Sequence, residues 1–298
     1  KTLRVGVEQS HLQTLALAPK TALAEIIWNS LDADADTITC TVKPNELDGI
    51  DQLIVEDNGI GIAPDNLKQT FAELGYSWKR LQTLSDGGRF IHGKRGRGRW
   101  AALGIGTDVR WISVSDSVAD GRVRFSISAS YGALDGFAVT EFELAKGAET
   151  GCKVEVSNLT PRGTKYLDSD TVIDDLLATF ALQIEQYNLN ITWRGNPVNV
   201  EAIKAKQTDI ELTVDGIDGP IILTVVEWKK ELPRHLNLCD ASGITLHQMK
   251  PGIHAPGRSF TAYLKWAGFL DEPTMLQLEE QAPEPIPAVI SAAQDALR

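Results

Sequence analysis

Glu25, Asn29 and Asp32 follow one another at i, i+4 and i+7 in the segment ALAEIIWNSLDADAD. On a helix, at ~100° per residue, they fall within roughly 60° of one another. Leu23, Ile26, Ile27 and Leu31 make the apolar face of the same helix. A solvated polar face is the plain reading of such a stripe. Two features set this one apart: it contains no Lys or Arg, and Trp28 flanks it. A carboxylate and a carboxamide oxygen on one face suit a hard cation such as Mg²⁺ and an activated water.

Two further clusters have the composition of a binding site. LIVEDNGIGI runs from a strand into Asp57-Asn58-Gly59-Ile60-Gly61. An Asn-Gly pair often closes a hairpin, but Ala63-Pro64-Asp65 opens a helix, not a second strand. Gly59 and Gly61 let backbone approach a flat ligand, with Asp57 as an acceptor at the strand's end. Farther on, HGKRGRGRWAALGIG spaces Gly93, Gly96 and Gly98 as GxxGxG, with Lys94, Arg95, Arg97 and Arg99 interleaved. A Gly-rich loop opening a helix offers N–H groups and a positive helix end to phosphate oxygens. The spacing is not that of a dinucleotide-binding turn, and no GK[ST] of a Walker A loop is present. A flexible basic loop is the alternative.

The elements that must hold these residues alternate along the first half. The pattern predicts a helix over 20–34, strands at 37–43 and 52–56, a helix over 63–75 and a Gly- and Arg-rich loop over 76–99. Strands follow at 108–115, 121–131, 136–144 and 152–157. NLTPRGT at 158–164 has turn chemistry and reads as a domain boundary. Beyond it, 169–187 is amphipathic, with Val172, Leu176, Leu177, Phe180 and Ile184 on one stripe. Strands at 189–194, 208–214 and 220–228 come next, the last two joined through DGIDGP at 215–220. PEPIP at 283–287 and a short Ala-rich helix read as a linker or a docking segment. The expected class is α+β, with a largely antiparallel first sheet and a smaller α/β second unit.

Composition bounds the function. The chain has 298 residues, about two domains' worth, with 43% hydrophobic and 23% charged residues. The formal net charge is −11, which excludes a generally basic nucleic-acid binder though not a local patch. Cys40, Cys152 and Cys239 lie far apart without CxxC spacing, so a zinc ribbon and a disulfide scaffold are excluded. A reducing, cytoplasmic setting is expected. No apolar run approaches the ~18 residues of a membrane span, and no signal-peptide pattern opens the chain.

In this order and spacing the three clusters resemble the GHKL ATPase superfamily, which includes gyrase B, MutL, the large heat-shock chaperone, histidine kinases and MORC proteins. AEIIWNSLDADAD resembles its N box, DNGIGI its first glycine box and GKRGRG its second. TGCKVEV at 150–156 resembles the strand beside the adenine, with Cys152 where the family usually has Thr. The resemblance implies a Bergerat-type α/β sandwich over 1–160. It implies, more loosely, a transducer-like α/β domain over 161–270 of the MutL, MORC and chaperone type. Residues 271–298 are left as a linker or C-terminal tail.

The resemblance also implies roles. Glu25 corresponds to the general base that activates the attacking water, and Asn29 to the Mg²⁺ ligand. Asp32 and Ala33 complete the N box beside the nucleotide. Asp57 corresponds to the acceptor of the adenine amino group, and Gly59, Gly61 and Ile62 to the backbone close to the base. Residues 76–99, with Ser77, Lys79 and Arg80, correspond to a lid. Gly93, Lys94, Arg95, Gly96, Arg97 and Gly98 form its phosphate-wrapping end. A cation of the second domain meets the γ-phosphate in this branch; Lys229, Lys230 and Arg234 are candidates, and a plain basic turn is the alternative.

The function implied is Mg-ATP binding and hydrolysis, with lid closure and ATP-dependent homodimerisation relaying the nucleotide state to an effector protein or a further C-terminal domain. A non-hydrolysing nucleotide sensor is one alternative. A histidine kinase is another, but it needs a phosphoacceptor His on a dimerisation helix. Only 24 residues precede Glu25, and His11 has no helical hairpin to carry it. Net charge does not indicate DNA binding unless Arg95, Arg97 and Arg99, or the cluster at 229–235, form a patch.

Overall fold

A computed structural model describes residues 2–4, 18–46, 49–67, 71, 85–89, 91, 98–132, 136–229, 231–232, 234–243, 245–255, 257–271, 275–276 and 281–298. By its internal contacts the chain divides into two units. The first comprises 1–179 and 184–198; the second comprises 180–183 and 199–298.

Helix α1 (Pro19–Asp32) is the first helix among the described residues of this unit, with Pro19 presetting φ at the first turn. Ala22, Leu23, Ile26, Ile27 and Leu31 are buried; burying a large aliphatic side chain contributes about 1.5–3 kcal/mol. The helix ends in a left-handed residue, Asp34, at φ 61°. The Ala35 N–H donates to Ser30 O at 3.1 Å and the Asp34 N–H to Leu31 O at 3.0 Å, so the last carbonyls are satisfied.

Among the described residues, ten strands make the sheet of this unit. They are β1 (Thr2–Arg4), β2 (Thr37–Pro44), β3 (Ile50–Asp57), β4 (Gly106–Ser117), β5 (Gly121–Ser130), β6 (Gly136–Val139), β7 (Glu143–Leu144), β8 (Gly151–Leu159), β9 (Asn190–Trp193) and β10 (Asn196–Pro197). Their order is β1-β6-β5-β4-β8-β3-β2-β9-β10, with β7 paired to β5. Every pairing is antiparallel except β2 with β9. On β4, Val109, Trp111, Ser113 and Ser115 alternate inward and are buried. Trp100 and Phe71 pack on Phe137 at ring-centroid distances of 4.9 and 5.0 Å. Trp100 belongs to α2 (Gly98–Ala101), which packs on α1.

Three expectations shift here. The helix read over 63–75 begins as a 3₁₀ turn at Pro64–Asn66; residues 68–70 and 72–75 lie outside the described ones. The strand read over 136–144 is two pieces, β6 and β7. The turn chemistry at 158–164 starts a helix and does not divide the units. Thr160 caps α3 (Pro161–Leu167), its Oγ1 accepting from the Gly163 N–H at 3.0 Å. The chain then continues through α4 (Thr171–Tyr187) and returns to the first sheet as β9 and β10. The chain thus stays with the first unit past residue 160, through 179 and again over 184–198.

In the second unit, α5 (Val200–Ile203) precedes a five-stranded sheet of β11 (Lys204–Leu212), β12 (Ile221–Trp228), β13 (His235–Cys239), β14 (Thr245–Met249) and β15 (Phe260–Lys265). Its order is β11-β12-β15-β13-β14, with β13 and β15 parallel. Helix α6 (Ile286–Ala296) buries Ile286, Val289, Ile290 and Ala293 in one core with Leu223, Leu236, Leu238 and Leu264. The segment expected to be a tail is thus part of this unit's interior. No helix among the described residues is long and apolar enough to cross a membrane.

Candidate functional site

The end of β3 and the last turns of α1 meet at Asp57. Its Oδ2 accepts from the Ser30 hydroxyl of α1 at 2.8 Å. Its Oδ1 accepts from the Gly59 N–H at 3.0 Å and, across the sheet, from the Cys152 N–H of β8 at 3.2 Å. Burial raises the Asp57 pKa above the ordinary carboxylate value, although Ser30 and the two N–H groups oppose that rise. One position beyond the strand, Asn58 Oδ1 accepts from the Asp36 and Thr37 N–H groups at 3.1 and 3.0 Å. Its Nδ2 donates to Asp36 Oδ1 at 2.7 Å, which helps to lower the Asp36 pKa.

The loop after Asp57 is drawn tight against its neighbours. The Ile60 N–H donates to Ala33 O at 2.8 Å, tying the loop to the end of α1. A Cβ on Gly59 would sit 2.4 Å from Ala33 O, so only glycine fits there. Gly61 has φ 74°, and a Cβ on it would lie 2.5 Å from Val114 O. Ile62 is gripped at both backbone groups. Its N–H donates to Ser113 Oγ at 2.8 Å, and its C=O accepts from Ser115 Oγ at 2.7 Å. A Cβ on Gly151, beside Cys152, would meet Asp57 O at 2.2 Å. These contacts hold the backbone of residues 59–62 against α1, β4 and β8, with an enclosed carboxylate at its start.

On α1, Asp32 is buried, Glu25 is half-buried and Asn29 is exposed. Ser30, between Asn29 and Leu31, carries the link to Asp57. The oxygen-bearing stripe and the enclosed carboxylate are therefore fixed relative to each other by a hydrogen bond within one unit. Oxygen donors alone suit a hard cation.

Residues 17–131, which begin just ahead of α1 and reach past β5, match the family model described as "Histidine kinase-, DNA gyrase B-, and HSP90-like ATPase". Over these residues the chain is similar to the GHKL-type ATPases. It is 27% identical over 229 residues to the DNA mismatch repair protein MutL of Lacticaseibacillus paracasei and, equally, to that of Lacticaseibacillus casei. In each case the match covers 72% of this chain and 31% of the relative. The chain thus spans less than a third of the length of these MutL relatives.

Glu25, Asn29, Asp32, Ala33, Asp57, Gly59, Gly61, Ile62 and Cys152 all belong to the first unit, on or just after α1, at and just after the end of β3, and on β8. Gly98 opens α2. Lys79, Gly93, Lys94, Arg95, Gly96, Arg97 and Lys230 lie outside the described residues. Lys229 and Arg234 belong to the second unit. There Lys229 Nζ donates to Ala202 O at 3.3 Å and Arg234 Nη1 to Ala255 O at 2.7 Å. Cys152 contributes its N–H to Asp57; burial and the Asp57 charge push its thiol pKa well above the ordinary value. Ser30, Ser113 and Ser115 escaped the sequence reading. A serine on a helix or strand carries no local signal of a partner 27 to 53 positions away.

Proposed function

We propose that the chain is the Mg-ATP-dependent ATPase part of a MutL-like machine, hydrolysing ATP and relaying its nucleotide state through lid closure and dimerisation. The observation that supports this best is the Asp57 carboxylate, enclosed at the end of β3, with residues 59–62 packed tightly enough to border a flat ring. An acceptor there suits the exocyclic amino group of adenine; guanine presents a carbonyl at that position.

Asn29 would hold Mg²⁺ through its amide oxygen, a hard donor that suits this cation. The bound ion supplies charge neutralisation at the phosphates. Glu25 stands one turn before Asn29 on the same stripe, where it would take a proton from the attacking water. Gly93, Gly96 and Gly98 with their interleaved cations would wrap the phosphates. Lys229, Lys230 or Arg234 would add the cation that meets the γ-phosphate. The names of the relatives point to DNA repair as the setting. The net charge of −11 favours an effector protein or a further domain as the DNA-contacting element.

The test compares wild type with Glu25→Gln for phosphate release and for ATP binding. The variant should lose about 10²–10⁴-fold in turnover and keep its ATP affinity within a few-fold. Wild-type turnover by the variant would return Glu25 to a solvated helix face.

A further inference from the structure

Val118, Phe142 and Leu144 keep large apolar side chains in water, at 95%, 47% and 66% exposure. Val118 stands in the turn between β4 and β5, while Phe142 and Leu144 lie just before and within β7, which pairs with β5. A single exposed apolar residue is ordinary; several of them beside a cavity mark a binding surface. A cavity of about 760 Å³ opens here. Val123 of β5, Val139 of β6, Phe142 and Leu144 supply much of its apolar wall. Its charged lining is Asp65, Asp120 and Glu141, with no Lys or Arg among the described residues that line it. Arg122 and Arg124 alternate with Val123 along β5 and so face the other way. Arg122 is also tied to Asp116 Oδ1 at 3.0 Å and to Ala148 O at 2.7 Å.

The walls are held in shape. Asp65 Oδ2 accepts from the Val118 N–H at 3.1 Å, which fixes the β4–β5 turn. The chain from β6 to β7 is stitched to β5 at both ends. The Thr140 N–H donates to Ser126 O at 3.0 Å, the Ser126 N–H to Thr140 Oγ1 at 2.9 Å, and the Ala145 N–H to Arg122 O at 2.9 Å. The Phe142 ring stands edge-on to Phe125, 5.0 Å between centroids. A surface already in shape has little ordering entropy to lose on binding. The cavity has the size of a ligand site, but Val118 is not part of its lining. A peptide lying across the face covers Val118 as well; a small molecule within the cavity does not. Three carboxylates repel nucleic-acid phosphates and anionic lipid surfaces. A second copy of this chain, in a two-fold pair, would bring the same three carboxylates and a further net charge of −11 to the face.

We propose that this face docks a basic, apolar peptide segment of a partner protein, with its large apolar side chains in the cavity and its Lys or Arg groups on Asp65, Asp120 and Glu141. The proposal is independent of the nucleotide reading, and its test uses no nucleotide. The probe is a fluorescently labelled peptide, Lys-Lys-Leu-Lys-Phe-Lys-Lys, titrated with residues 1–298 and read by fluorescence polarisation. Leu144→Ser, and separately the pair Asp120→Lys with Glu141→Lys, should each weaken its Kd about tenfold. All three side chains are exposed, so melting temperatures should stay near wild type. Asp215→Lys with Asp218→Lys makes the same change of net charge at exposed positions of the second unit and should leave the Kd within about twofold. Peptides with Ser for Leu and Phe, or with Glu for Lys, should bind about tenfold more weakly or not at all. No saturable binding by wild type, equal weakening by the two charge-reversed pairs, or an unchanged Kd in Leu144→Ser overturns the proposal. Light scattering without peptide or nucleotide completes the test: a dimer that Leu144→Ser abolishes gives the face to a second copy and overturns the proposal, whereas a monomer agrees with it.

Discussion

Replacing Asp57 by Asn should separate ligand recognition from folding. The amide can keep most of the carboxylate's bonds. Its oxygen can accept from Gly59 and Cys152, as Oδ1 does now at 3.0 and 3.2 Å, and its NH₂ can donate to Ser30 Oγ. Ser30 in turn can donate to a carbonyl one turn back on α1. Burial raises the Asp57 pKa, so the ionised carboxylate burdens the folded state. A group whose folded pKa is raised contributes stability that is complete below the unfolded value of about 3.9, and loses it as pH rises through the folded value. The ligand-free Asn variant should therefore match wild type near pH 3 and gain on it as pH rises from about 4. Ligand binding should suffer. Losing a hydrogen bond to a charged acceptor costs about 1.5–3 kcal/mol, near 100-fold in Kd at its upper end. At ATP 100-fold above the wild-type Kd, ligand stabilises by about 2.7 kcal/mol. For the variant at the same concentration this falls to about 0.4 kcal/mol, since ligand and Kd are then comparable. In melting temperature that is about 5–11 °C for wild type against about 1–2 °C for the variant. Differential scanning fluorimetry with ATP, GTP and Mg²⁺ reads both quantities. The preference for ATP over GTP should collapse as well. A variant with the full ATP shift, or one melting far below wild type without ligand, would refute the reasoning.

Two other perturbations follow from the geometry. Gly61→Ala places a Cβ 2.5 Å from Val114 O at φ 74°, so urea denaturation should show a loss of about 2–4 kcal/mol; a smaller loss than 1 kcal/mol would mean that the loop is looser than it looks. A chain ending at residue 198 should bind ATP but lose most turnover and remain monomeric by light scattering with a non-hydrolysable analogue, whereas residues 1–298 should dimerise; full turnover by the shorter chain would remove the second unit from the chemistry.

Much of the first unit was legible because its signals are local. The 3.6-residue stripe of α1 and the alternation of β4 and β5 lie within short windows, and the α1 stripe and the two glycine-bearing clusters stand in family order. Thr160-Pro161 misled because the chemistry of a helix start, a hydroxyl cap followed by proline, is also that of a turn. β13, β14 and β15 were missed because their order in the sheet is not their order in sequence; β13 pairs in parallel with β15 from beyond β14. Helix α6 was recognised as a helix, but its apolar residues at 286, 289, 290 and 293 acquire meaning only against the strands they cover. Within the site, Asp57 declared itself through its glycines. The hydroxyls that hold it and its loop did not, since each bond joins residues far apart in sequence.

The parallel pairing of β9 with β2 has a consequence for synthesis. β2 leaves the ribosome roughly 150 residues ahead of its neighbour, an interval of about 8–30 s at typical elongation rates. Until then its outer edge is an open template for other strands. Lys43 and the N–H-lacking Pro44 at its end are the kind of residues that discourage such pairing. The nascent first unit thus lacks two strands of its sheet until β9 and β10 have been made, just ahead of residues 199–298 of the second unit.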